Sequence, residues 1–437
     1  MRVLLVGSGG REHALAATLS RSPALDALFT APGNPGTALF GTNVAIAVDD
    51  VPALVAFARA ERIDLVIPGP EAPLVAGLAD ACMVAGIACA GPTAQAARLE
   101  GSKSFTKEIC DAAGIPTARW ERFDDAASAR AFVRRRGAPI VVKADGLAAG
   151  KGVVVAQTVA EAEEAIVAMM EQSSLGEAGV SVVIEECLEG DEVSLFAFCD
   201  GETAVLIGAA QDHKRIGEGD TGPNTGGMGA VSPPAFFDPT TQEQALDLLV
   251  RPMLREMVRR GTPFRGVIFA GLMLTTRGPE LIEYNVRFGD PEAQALLPRL
   301  RTDLLPALVA MCDGNLAQAD LRFANEASVA VVMAGRGYPG TPATGAPIRG
   351  IDRAEAMAGV RVFQAATTRD ATGMLVANGG RVLTVVATAP TLEAARDAAY
   401  AGVAAIDWPD AIWRRDIGVR ALQRALAADL EISASRS

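Results

Sequence analysis

The first 120 residues alternate short apolar runs with longer amphipathic segments, and this alternation constrains the fold more than any other feature of the chain. Apolar runs of four or five residues are typical of strands, whereas apolar residues spaced three or four apart are typical of helices. Strands that alternate with helices predict a doubly wound parallel sheet. The predicted strands are Val3–Val6, Ala27–Thr30, Val44–Val48, Leu65–Pro68 and Ile87–Ala90, and the predicted helices are Arg11–Leu19, Val51–Glu61, Pro73–Ala85 and Ser102–Ala113.

Three further units are predicted after this N-terminal α/β unit of residues 1–120. Residues 121–190 form a compact αβ segment with a glycine-rich turn between two strands. Residues 191–325 have α+β character, with long strands and an irregular Gly/Pro stretch from Ile216 to Pro234. Residues 326–437 have the pattern of a small α+β domain. A chain of 437 residues has room for about three domains, and two or four also fall within the usual range.

Charge and histidine content exclude several classes of function. Forty Lys and Arg against 52 Asp and Glu give a formal net charge of −12 at pH 7, which opposes binding to nucleic acid and to anionic membranes. The dense basic run Arg134–Arg136 is expected on a solvated helix face. The two histidines, His13 and His213, argue against a multi-histidine metal site and against a Ser-His-Asp triad. We therefore expect chemistry that proceeds without imidazole.

Cysteine spacing and hydropathy predict the compartment. The six cysteines form no CxxC motif, as expected of buried thiols in a reducing compartment. A strand is predicted directly after Met1, which leaves no room for a signal peptide. The longest uncharged run, residues 27–48, is broken by Pro and Gly residues and does not resemble a membrane span. We expect a cytoplasmic protein.

The first strand–helix turn is glycine-rich and reads Gly7-Ser8-Gly9-Gly10-Arg11-Glu12-His13. Glycines in such a turn let backbone N–H groups approach an anion at the helix N-terminus. A dinucleotide-binding turn would have a glycine at position 12 and an acidic residue after the second strand, but the chain has Glu12 and Thr30-Ala31-Pro32 there. The turn therefore favours a phosphate-bearing substrate over NAD, and His13 is expected to lie on the helix face.

A second glycine-rich turn, Gly146-Leu147-Ala148-Ala149-Gly150-Lys151-Gly152, lies between two predicted strands. It is not a P-loop, because Gly152 replaces the required hydroxyl residue and a strand follows instead of a helix. It predicts a β-hairpin whose backbone amides cover phosphates. Lys143 precedes this turn in an apolar strand, where a buried ammonium group needs an anion. That anion is either a phosphate or a protein carboxylate.

Acidic residues follow the next predicted strand, in Glu185-Glu186-Cys187-Leu188-Glu189-Gly190-Asp191-Glu192. These acids either face solvent or line a hinge between two lobes. In a hinge, the carboxylates would bind ribose hydroxyls and the backbone would bind the edge of a base. The residues alone do not decide between the two.

Glu283-Tyr284-Asn285 predicts a metal site. Residues i and i+2 of a strand share a face, so Glu283 and Asn285 present two oxygen donors side by side, as Mg²⁺ prefers. Arg287 lies on the same face if the strand continues, and its guanidinium can bind a carboxylate through two hydrogen bonds. Asp290 is expected to be the N-cap of a helix with Pro291 at its first position.

A long polar loop, Gln211–Gly229, has six glycines between Gly217 and Gly229. A long loop without regular structure inside a domain is usually functional or disordered. Its small residues and the adjoining Asp212-His213-Lys214-Arg215 favour an ordered substrate loop.

Together these motifs resemble the ATP-grasp superfamily, and in particular its ligases of purine synthesis. Lys143 and its glycine hairpin alone indicate only the superfamily, whereas the loop from Asp212 to Gly229 is specific to those ligases. Further matching stretches are Val6–Leu15, Gly69–Leu74, Glu100–Lys103, Glu283–Glu292 and Asn378–Leu383.

The resemblance implies a multidomain ATP-grasp fold, with an N-terminal Rossmann-like parallel-sheet domain, a small lid domain and a small C-terminal α+β domain. It implies an ATP-dependent ligase that joins glycine to 5-phospho-β-D-ribosylamine through a glycyl phosphate intermediate. The implied cofactors are ATP and Mg²⁺ or Mn²⁺, and no nucleic acid or membrane partner is expected. We expect a monomer.

The resemblance also implies roles for single residues. Catalysis is assigned to Lys143, Asp212, Lys214 and Arg287, with Arg287 on the glycine carboxylate, and metal binding to Glu283 and Asn285. The implied ATP-binding residues are Lys103, Lys143, Gly146, Gly150, Lys151, Gly152, Glu185, Glu186, Leu188 and Glu192. The implied substrate-binding residues are Gly9, Gly10, Glu71, Asp212, His213, Lys214, Thr225, Gly226, Gly227, Met228 and Arg287, with His213 shaping the pocket rather than moving a proton.

The chain departs from the superfamily pattern in ways that keep alternatives open. Ala270–Leu274 has no acid for a second metal ion, and Cys187 stands where an aromatic residue often follows the hinge acids. Phe363-Gln364-Ala365-Ala366-Thr367 replaces Phe-His-Ala-Gly-Thr, so no catalytic role is expected there. The alternatives are another ATP-grasp carboxylate–amine ligase or carboxylase, a nucleotide sensor without catalysis and, from a different class, a Rossmann NAD-dependent dehydrogenase.

Overall fold

A computed structural model describes residues 1–148, 152–172 and 175–424. The N-terminal part is a parallel sheet with helices on its faces. Its elements are β1 Arg2–Gly7, α1 Gly10–Leu19, β2 Ala27–Pro32, β3 Thr42–Asn43, α2 Val51–Ala60, β4 Leu65–Pro68, α3 Ala72–Val75, α4 Leu78–Ala85, β5 Ala88–Cys89, α5 Ala94–Gly101 and α6 Lys103–Ala113. The strand order β3-β2-β1-β4-β5 confirms the predicted doubly wound sheet.

Local sequence explains most element boundaries in this sheet. Ser102 caps α6 by accepting a hydrogen bond from the Phe105 N–H at 3.2 Å, and Gly114 ends the helix with φ +66°. The predicted strand Val44–Val48 is wrong, because the pairing with β2 ends at Asn43. Val44, Ile46 and Val48 still pack against the core. The apolar residue at every second position therefore reflects burial of these side chains, although the strand pairing does not continue.

The next part is a four-stranded antiparallel sheet, ordered as the sixth, ninth, seventh and eighth strands of the chain. Its hairpin pairs Val141 with Val155 and Lys143 with Val153, as the sequence predicts. Residues 149–151 at the tip of this hairpin lie outside the described residues. The elements are β6 Trp120–Phe123, α7 Ala126–Arg136, β7 Ile140–Ala144, β8 Val153–Ala156, α8 Val159–Ile166 and β9 Val182–Glu186.

The rest of the chain builds one large antiparallel sheet and two separate two-stranded sheets. The first half of this part contains β10 Asp191–Asp200, β11 Ala204–Asp212, β12 Arg215–Gly217, β13 Thr221–Asn224, β14 Gly229–Ser232, α9 Pro239–Ala245, α10 Arg251–Arg259, β15 Arg265–Thr275 and β16 Gly278–Asn285. The second half contains α11 Glu292–Leu296, α12 Leu304–Asp313, β17 Ala327–Gly335, α13 Ile351–Glu355, β18 Val360–Gln364, β19 Thr367–Arg369, β20 Leu375–Ala377, β21 Arg381–Ala389, α14 Leu392–Ala405 and β22 Ala411–Ile412. The hairpins β12–β13 and β19–β20 are the two small sheets.

The strand order β16-β15-β10-β11-β14-β17-β21-β18 runs through the predicted boundary at residues 325/326. β14 pairs with β11 on one side and with β17 on the other, so this strand joins the two predicted units. The prediction of an irregular stretch from Ile216 to Pro234 is therefore wrong for β12, β13 and β14. The division into four domains stays a prediction.

The large sheet is packed on both faces. Phe196, Phe198 and Phe269 pack towards α1, α11 and α12, whereas Leu195, Ile268 and Tyr284 pack towards α6 and α10. Among the described residues, every helix is too short or too polar to cross a bilayer.

Candidate active site

The carboxylate of Glu283 lies among four cationic side chains that come from different elements. Lys103 begins α6, Lys143 lies on β7, Lys214 follows β11 and Arg287 follows β16. Burial raises the pKa of Glu283, but the charges of Lys103, Lys214, Lys143 and Arg287 together lower this pKa to about 2. Lys103 Nζ lies 3.7 Å from Glu283 Oε2. The fold therefore gathers four predicted site cations around one predicted metal ligand.

Glu283 and Asn285 present oxygen atoms suited to a hard divalent cation. Asn285 Oδ1 accepts a hydrogen bond from Arg287 Nη2 at 3.3 Å, and its buried Nδ2 has no hydrogen-bond partner. Within the described part of the chain, no three or more His, Cys, Asp or Glu side chains form a cluster that could hold a metal. Two protein donors fit an ion that takes its remaining ligands from phosphates and water, as Mg²⁺ usually does.

Arg287 links the N-terminal sheet to the end of β16 through hydrogen bonds. Its Nε donates to Glu71 at 2.8 Å, its Nη2 to Glu100 at 2.9 Å and its Nη1 to the Phe288 carbonyl at 3.1 Å. With the bond to Asn285, four of the five guanidinium N–H groups are used. A glycine carboxylate could therefore bind Arg287 through two hydrogen bonds only by displacing a protein group. Burial raises the pKa of Glu100 despite the nearby Arg287.

Lys143 is paired with a buried carboxylate, which is one of the two kinds of anion that the sequence left open. Its Nζ lies 2.9 Å from Glu185 and 3.2 Å from the Ile282 carbonyl. Lys107 also reaches Glu185, at 3.0 Å. Glu185 is therefore held by two lysines and is almost fully buried. The side chain of Glu185 faces these lysines, so only its backbone remains for the predicted contact with adenine.

The carboxylates of half-buried Asp212 and buried Glu292 lie near Lys214. Asp212 Oδ1 is buried without a hydrogen-bond partner. Burial and then the charge of Glu292 raise the pKa of Asp212 well above its usual value, and burial raises the pKa of Glu292. Lys214 forms an ion pair with Glu192, one of the predicted ATP-binding residues. A Cβ at residue 227 would lie 2.7 Å from Asp212 Oδ1, and this residue has φ +108°, so the position requires glycine.

Backbone N–H groups of the first glycine turn donate hydrogen bonds to protein carboxylates. Glu12 Oε2 accepts the Gly9 N–H at 2.5 Å, and Arg11 Nε donates to Glu12 Oε1 at 2.6 Å. A dinucleotide phosphate would need the position that this carboxylate occupies at the start of α1, which disfavours NAD. Asp290 accepts the Arg11 N–H at 3.4 Å. The negative charges of Glu12 and Asp290 also oppose the binding of a phosphate at Gly9 and Gly10. The role of these two glycines in binding substrate stays a prediction.

The prediction that Asp290 is an N-cap is wrong. The α11 helix begins at Glu292, and Asp290 instead accepts a hydrogen bond from Gln294 Nε2 at 2.7 Å and lies 3.4 Å from Arg381 Nη1. Asp290 therefore connects the first glycine turn, α11 and the start of β21. A local Asp-Pro-Glu pattern could not show the distant partners Arg11 and Arg381.

The loop from Gln211 to Gly229 also contains the predicted substrate residues Thr225, Gly226 and Met228. Thr225 Oγ1 donates to the Lys214 carbonyl at 2.8 Å and accepts the Gly227 N–H at 3.0 Å. The Gly226 N–H donates to Tyr338 Oη at 3.0 Å. Met228 is fully buried in the sheet, so it holds the loop in place from within the core.

Both histidines are buried and have structural contacts. His13 Nδ1 accepts the Gln364 N–H at 2.7 Å, and its ring packs between Phe40 and Phe363. His13 lies on a face of α1, as predicted, and this face is buried in the core. His213 Nε2 accepts the Gly418 N–H at 3.5 Å. Burial lowers the pKa of each imidazole to about 4, so both are neutral at pH 7.

The remaining predicted ATP residues follow the edge of the smaller antiparallel sheet. The Gly146 N–H donates to the Ala178 carbonyl at 3.2 Å, and the Gly152 carbonyl accepts the Ala144 N–H at 2.7 Å. Glu186 accepts hydrogen bonds from the Arg119 N–H and from Arg277 Nη2, and Leu188 is half-buried. Gly150 and Lys151 lie outside the described residues.

Sequence reasoning missed Glu100, Lys107 and Glu292 as members of the site. Lys107 is four residues after Lys103 and so falls on the same helix face, a signal that was available. Glu100 immediately precedes the Gly101-Ser102-Lys103 motif, but its contact with Arg287 links residues 187 positions apart. Glu292 follows the helix start predicted at Asp290 and Pro291, and no local pattern indicates that its charge acts on Asp212.

Comparisons with known proteins cover nearly the whole chain. Models of the phosphoribosylglycinamide synthetase N domain, ATP-grasp (A) domain and C domain match residues 1–100, 101–293 and 328–420. The chain belongs to the phosphoribosylglycinamide synthetase family. The resemblance to the ATP-grasp superfamily is thus confirmed, and so are the fold class and the ligase class. As an ATP-grasp ligase, the protein uses ATP and a divalent metal ion.

Curated members of the phosphoribosylglycinamide synthetase family are similar over most of their length. The phosphoribosylamine–glycine ligase of Mesorhizobium japonicum is 53% identical over 428 residues, which cover 98% of this chain and 100% of that protein. The chloroplastic phosphoribosylamine–glycine ligase of Arabidopsis thaliana is 47% identical and is matched over 96% of this chain and 80% of its own length.

Solved structures show the same architecture. The phosphoribosylamine–glycine ligase of Thermotoga maritima is 31% identical with a TM-score of 0.83, and the match covers 95% of this chain and 100% of that structure. The biotin carboxylase domain of the Hydrogenobacter thermophilus 2-oxoglutarate carboxylase is 16% identical with a TM-score of 0.72, over 94% of this chain and 91% of that one. The second match shows a shared fold alone.

Proposed function

We propose that this protein joins glycine to 5-phospho-β-D-ribosylamine to form glycinamide ribonucleotide, while ATP is converted to ADP and phosphate, as a step of purine synthesis. The observation that carries this proposal is the convergence of Lys103, Lys143, Lys214 and Arg287 on Glu283. Such a group of cations beside two oxygen donors suits a polyphosphate and an attacking carboxylate. Membership of the phosphoribosylglycinamide synthetase family supports the choice of substrates.

In the first step, a carboxylate oxygen of glycine attacks the γ-phosphorus of ATP. The bond from that phosphorus to the β–γ bridging oxygen breaks, ADP leaves and glycyl phosphate forms. A carboxylate is already a nucleophile, so this step needs mainly positioning and neutralisation of charge. Lys103, Lys143 and Lys214 supply positive charge around the phosphates. A divalent ion held by Glu283 and Asn285 would neutralise part of the remaining phosphate charge.

In the second step, the amine nitrogen of the ribosylamine attacks the carbonyl carbon of glycyl phosphate. The carbon–oxygen bond to phosphate breaks, and the nitrogen loses a proton. We assign Asp212 Oδ1 as the acceptor for this N–H, because it is buried and has no partner within the protein. The acyl phosphate needs protection from water. We propose that the β7–β8 hairpin and the loop from Gln211 to Gly229 give that protection.

Several finer properties belong to the same proposal. The oxygen donors Glu283 and Asn285 suit Mg²⁺, and Mn²⁺ is the alternative. The net charge of −12 opposes nucleic acid and anionic membranes as partners, so we propose small-molecule substrates only. We also propose that the protein acts in the cytoplasm as a monomer.

The test is release of ADP in a coupled assay with ATP, glycine and freshly prepared phosphoribosylamine, each omitted in turn. We expect ADP only when all three are present, together with glycinamide ribonucleotide in equal amount. Turnover with bicarbonate or formate in place of glycine would indicate a different ATP-grasp enzyme. ATP binding without ADP release would indicate a nucleotide sensor, and tight binding of NAD, measured by fluorescence titration, would contradict the ligase.

A further inference from the structure

The loop that carries Asp212 and Lys214 projects from the large sheet as a separate hairpin, which we call the flap and define as residues 215–224. Within the part of the chain that the structure describes, its strands β12 and β13 pair only with each other. A two-stranded hairpin on its own is at best marginally stable in water. Contacts from elsewhere in the chain must therefore keep the flap in one position.

The main contacts come from Arg414, about 190 residues later in the chain. Its Nη1 donates to Asp220 at 2.7 Å and to the Arg215 carbonyl at 3.1 Å. The other edge of its guanidinium donates to both oxygens of Asp416, at 2.8 and 2.7 Å. Arg414 is only 2% exposed. A charged group this deeply buried is stable only when it is paired and hydrogen-bonded, as it is here.

The same C-terminal segment holds the flap at further points. Asp416 Oδ2 accepts the Gly219 N–H at 2.8 Å, and Glu218 accepts the Arg415 N–H at 3.2 Å. Asp220 has φ +56°, a conformation that Asp and Asn tolerate better than most residues. The turn of the flap is thus built to present the Asp220 carboxylate to Arg414.

The segment also reaches the base of the flap next to the proposed catalytic groups. The Gly418 N–H donates to His213 Nε2 at 3.5 Å, and His213 lies between Asp212 and Lys214. Arg414 binds the carbonyl of Arg215, the residue directly after Lys214. The segment therefore fixes the backbone on both sides of Lys214, whose ammonium group forms an ion pair with Glu192.

From these contacts we infer that Arg414 is a positioning residue for the ligase reaction, and that it acts through the flap to hold Lys214 against the reacting groups. The inference rests on the proposed function, because it assigns Lys214 to the chemical steps. Arg414 itself does not touch the substrates in this proposal. A displacement of about 1 Å at a catalytic group is enough to reduce turnover strongly, so loss of the Arg414 contact should appear in kcat.

Two variants of the full chain test the contact from its two sides. Asp220→Asn removes the flap carboxylate at a half-exposed position, keeps the tolerance for positive φ and leaves Arg414 paired with Asp416. Arg414→Lys keeps the positive charge but loses the planar fork that joins four acceptor atoms of three residues. The matched control is Asp320→Asn, which removes the same charge from the exposed Arg322–Asp320 pair, away from the flap.

We expect kcat per ATP-binding site to fall about tenfold in both flap variants, with the KM for ATP unchanged and the control equal to wild type. The double variant should lose no more activity than Arg414→Lys alone, because both substitutions break one interaction. Hydrogen exchange at the amides of residues 215–224 should become faster. A structural role alone would lower the number of active sites without changing kcat per site.

The inference is overturned if kcat per site stays at the wild-type value while exchange in the flap becomes faster. It is also overturned if the losses in the double variant add. Failure of the wild-type protein to release ADP with glycine and phosphoribosylamine would refute the proposed function instead. The two failures are distinguishable, because hydrogen exchange in the flap is measured without any substrate. This exchange should be slow in the wild type and faster in Asp220→Asn.

Discussion

Arg287 Nε donates to Glu71 Oε2 at 2.8 Å, and this hydrogen bond joins the loop after β4 to the end of β16. The two residues come from different sheets and are both predicted to bind substrate. Burial raises the pKa of Glu71, but Arg287 and Arg11 lower it to a net value below that of a free carboxyl group. Glu71 is therefore ionised at neutral pH and competes with any substrate carboxylate for Arg287.

The first prediction concerns this competition. Glu71→Gln removes the competing charge, so the KM for glycine should fall about two- to fivefold, the range expected for a partly exposed ion pair. The KM for phosphoribosylamine should rise, because the variant loses a predicted contact with that substrate. Steady-state ADP release with each substrate varied in turn measures both constants. A higher KM for glycine would show that Glu71 orients Arg287 instead of competing with the substrate.

The second prediction separates the two lysines that bind Glu185. Lys143→Met and Lys107→Met each leave the other lysine paired with this buried carboxylate. We therefore expect similar losses in the free energy of unfolding, on the order of 1–3 kcal/mol, as measured by urea denaturation. Only Lys143→Met should abolish ATP turnover, because only Lys143 is predicted to contact phosphate.

Lys107→Met is the matched control for that experiment. It changes the same charge at the same carboxylate, 3.0 Å away instead of 2.9 Å. Equal loss of kcat in both variants would mean that the Glu185 cluster acts only as a structural unit. Full activity of Lys143→Met would remove Lys143 from the phosphate site.

The third prediction tests the metal site on β16. Glu283→Gln should raise the Mg²⁺ concentration needed for half-maximal activity at least about tenfold, since it replaces an anionic oxygen ligand by a neutral one. Glu280→Gln is the control on the same strand, because the Glu280 carboxylate is already bound by Arg277 and Thr275. Titration of activity with Mg²⁺ and with Mn²⁺ gives both values. An identical Mg²⁺ requirement in the Glu283 variant and the wild type would place the metal elsewhere.

Sequence predicted the parts of this molecule that depend on local periodicity. The helix predicted at Val51–Glu61 is observed at Val51–Ala60, and the hairpin around Lys143 and Val153 pairs as expected. The helix predicted at Ser102–Ala113 is also observed, as Lys103–Ala113 between the Ser102 cap and Gly114, because caps depend on neighbouring residues only. The resemblance to a known family identified the predicted cations that the fold brings around Glu283.

Contacts between distant segments were beyond sequence reasoning. The β14 strand is short and follows a glycine-rich stretch, so only its pairing with β11 and β17 makes it a strand. Glu185 and Asp290 have partners that lie far away in the chain. The sequence pattern suggested a nucleotide ligand for Glu185 and a helix cap for Asp290. In the structure, buried Glu185 forms ion pairs with lysines, and Asp290 connects separate elements. The Arg414–Asp220 contact likewise joins residues with no shared local motif.

The last prediction concerns the two histidines and acid stability. Burial lowers the pKa of His13 and of His213 from 6.5 to about 4. Between these values the unfolded chain binds protons that the folded protein does not, so stability falls as the pH is lowered from 7 towards 4. Each histidine should contribute a loss of about 2 kcal/mol at pH 5 relative to pH 8. The acids Asp212 and Glu292 have raised pKa values and contribute with the opposite sign.

Substitutions that keep the hydrogen bonds isolate the histidine contribution. His13→Asn places an amide oxygen near Nδ1, where the Gln364 N–H donates, and His213→Gln places one near Nε2, where the Gly418 N–H donates. Neither amide titrates, so each variant should lose part of the dependence on pH and the double variant should lose about 4 kcal/mol of it. Urea denaturation at pH 8 and pH 5 provides the comparison with wild type, and the contribution of all other groups cancels in the difference. An unchanged slope in the double variant would mean that both imidazoles already take up protons in the folded protein.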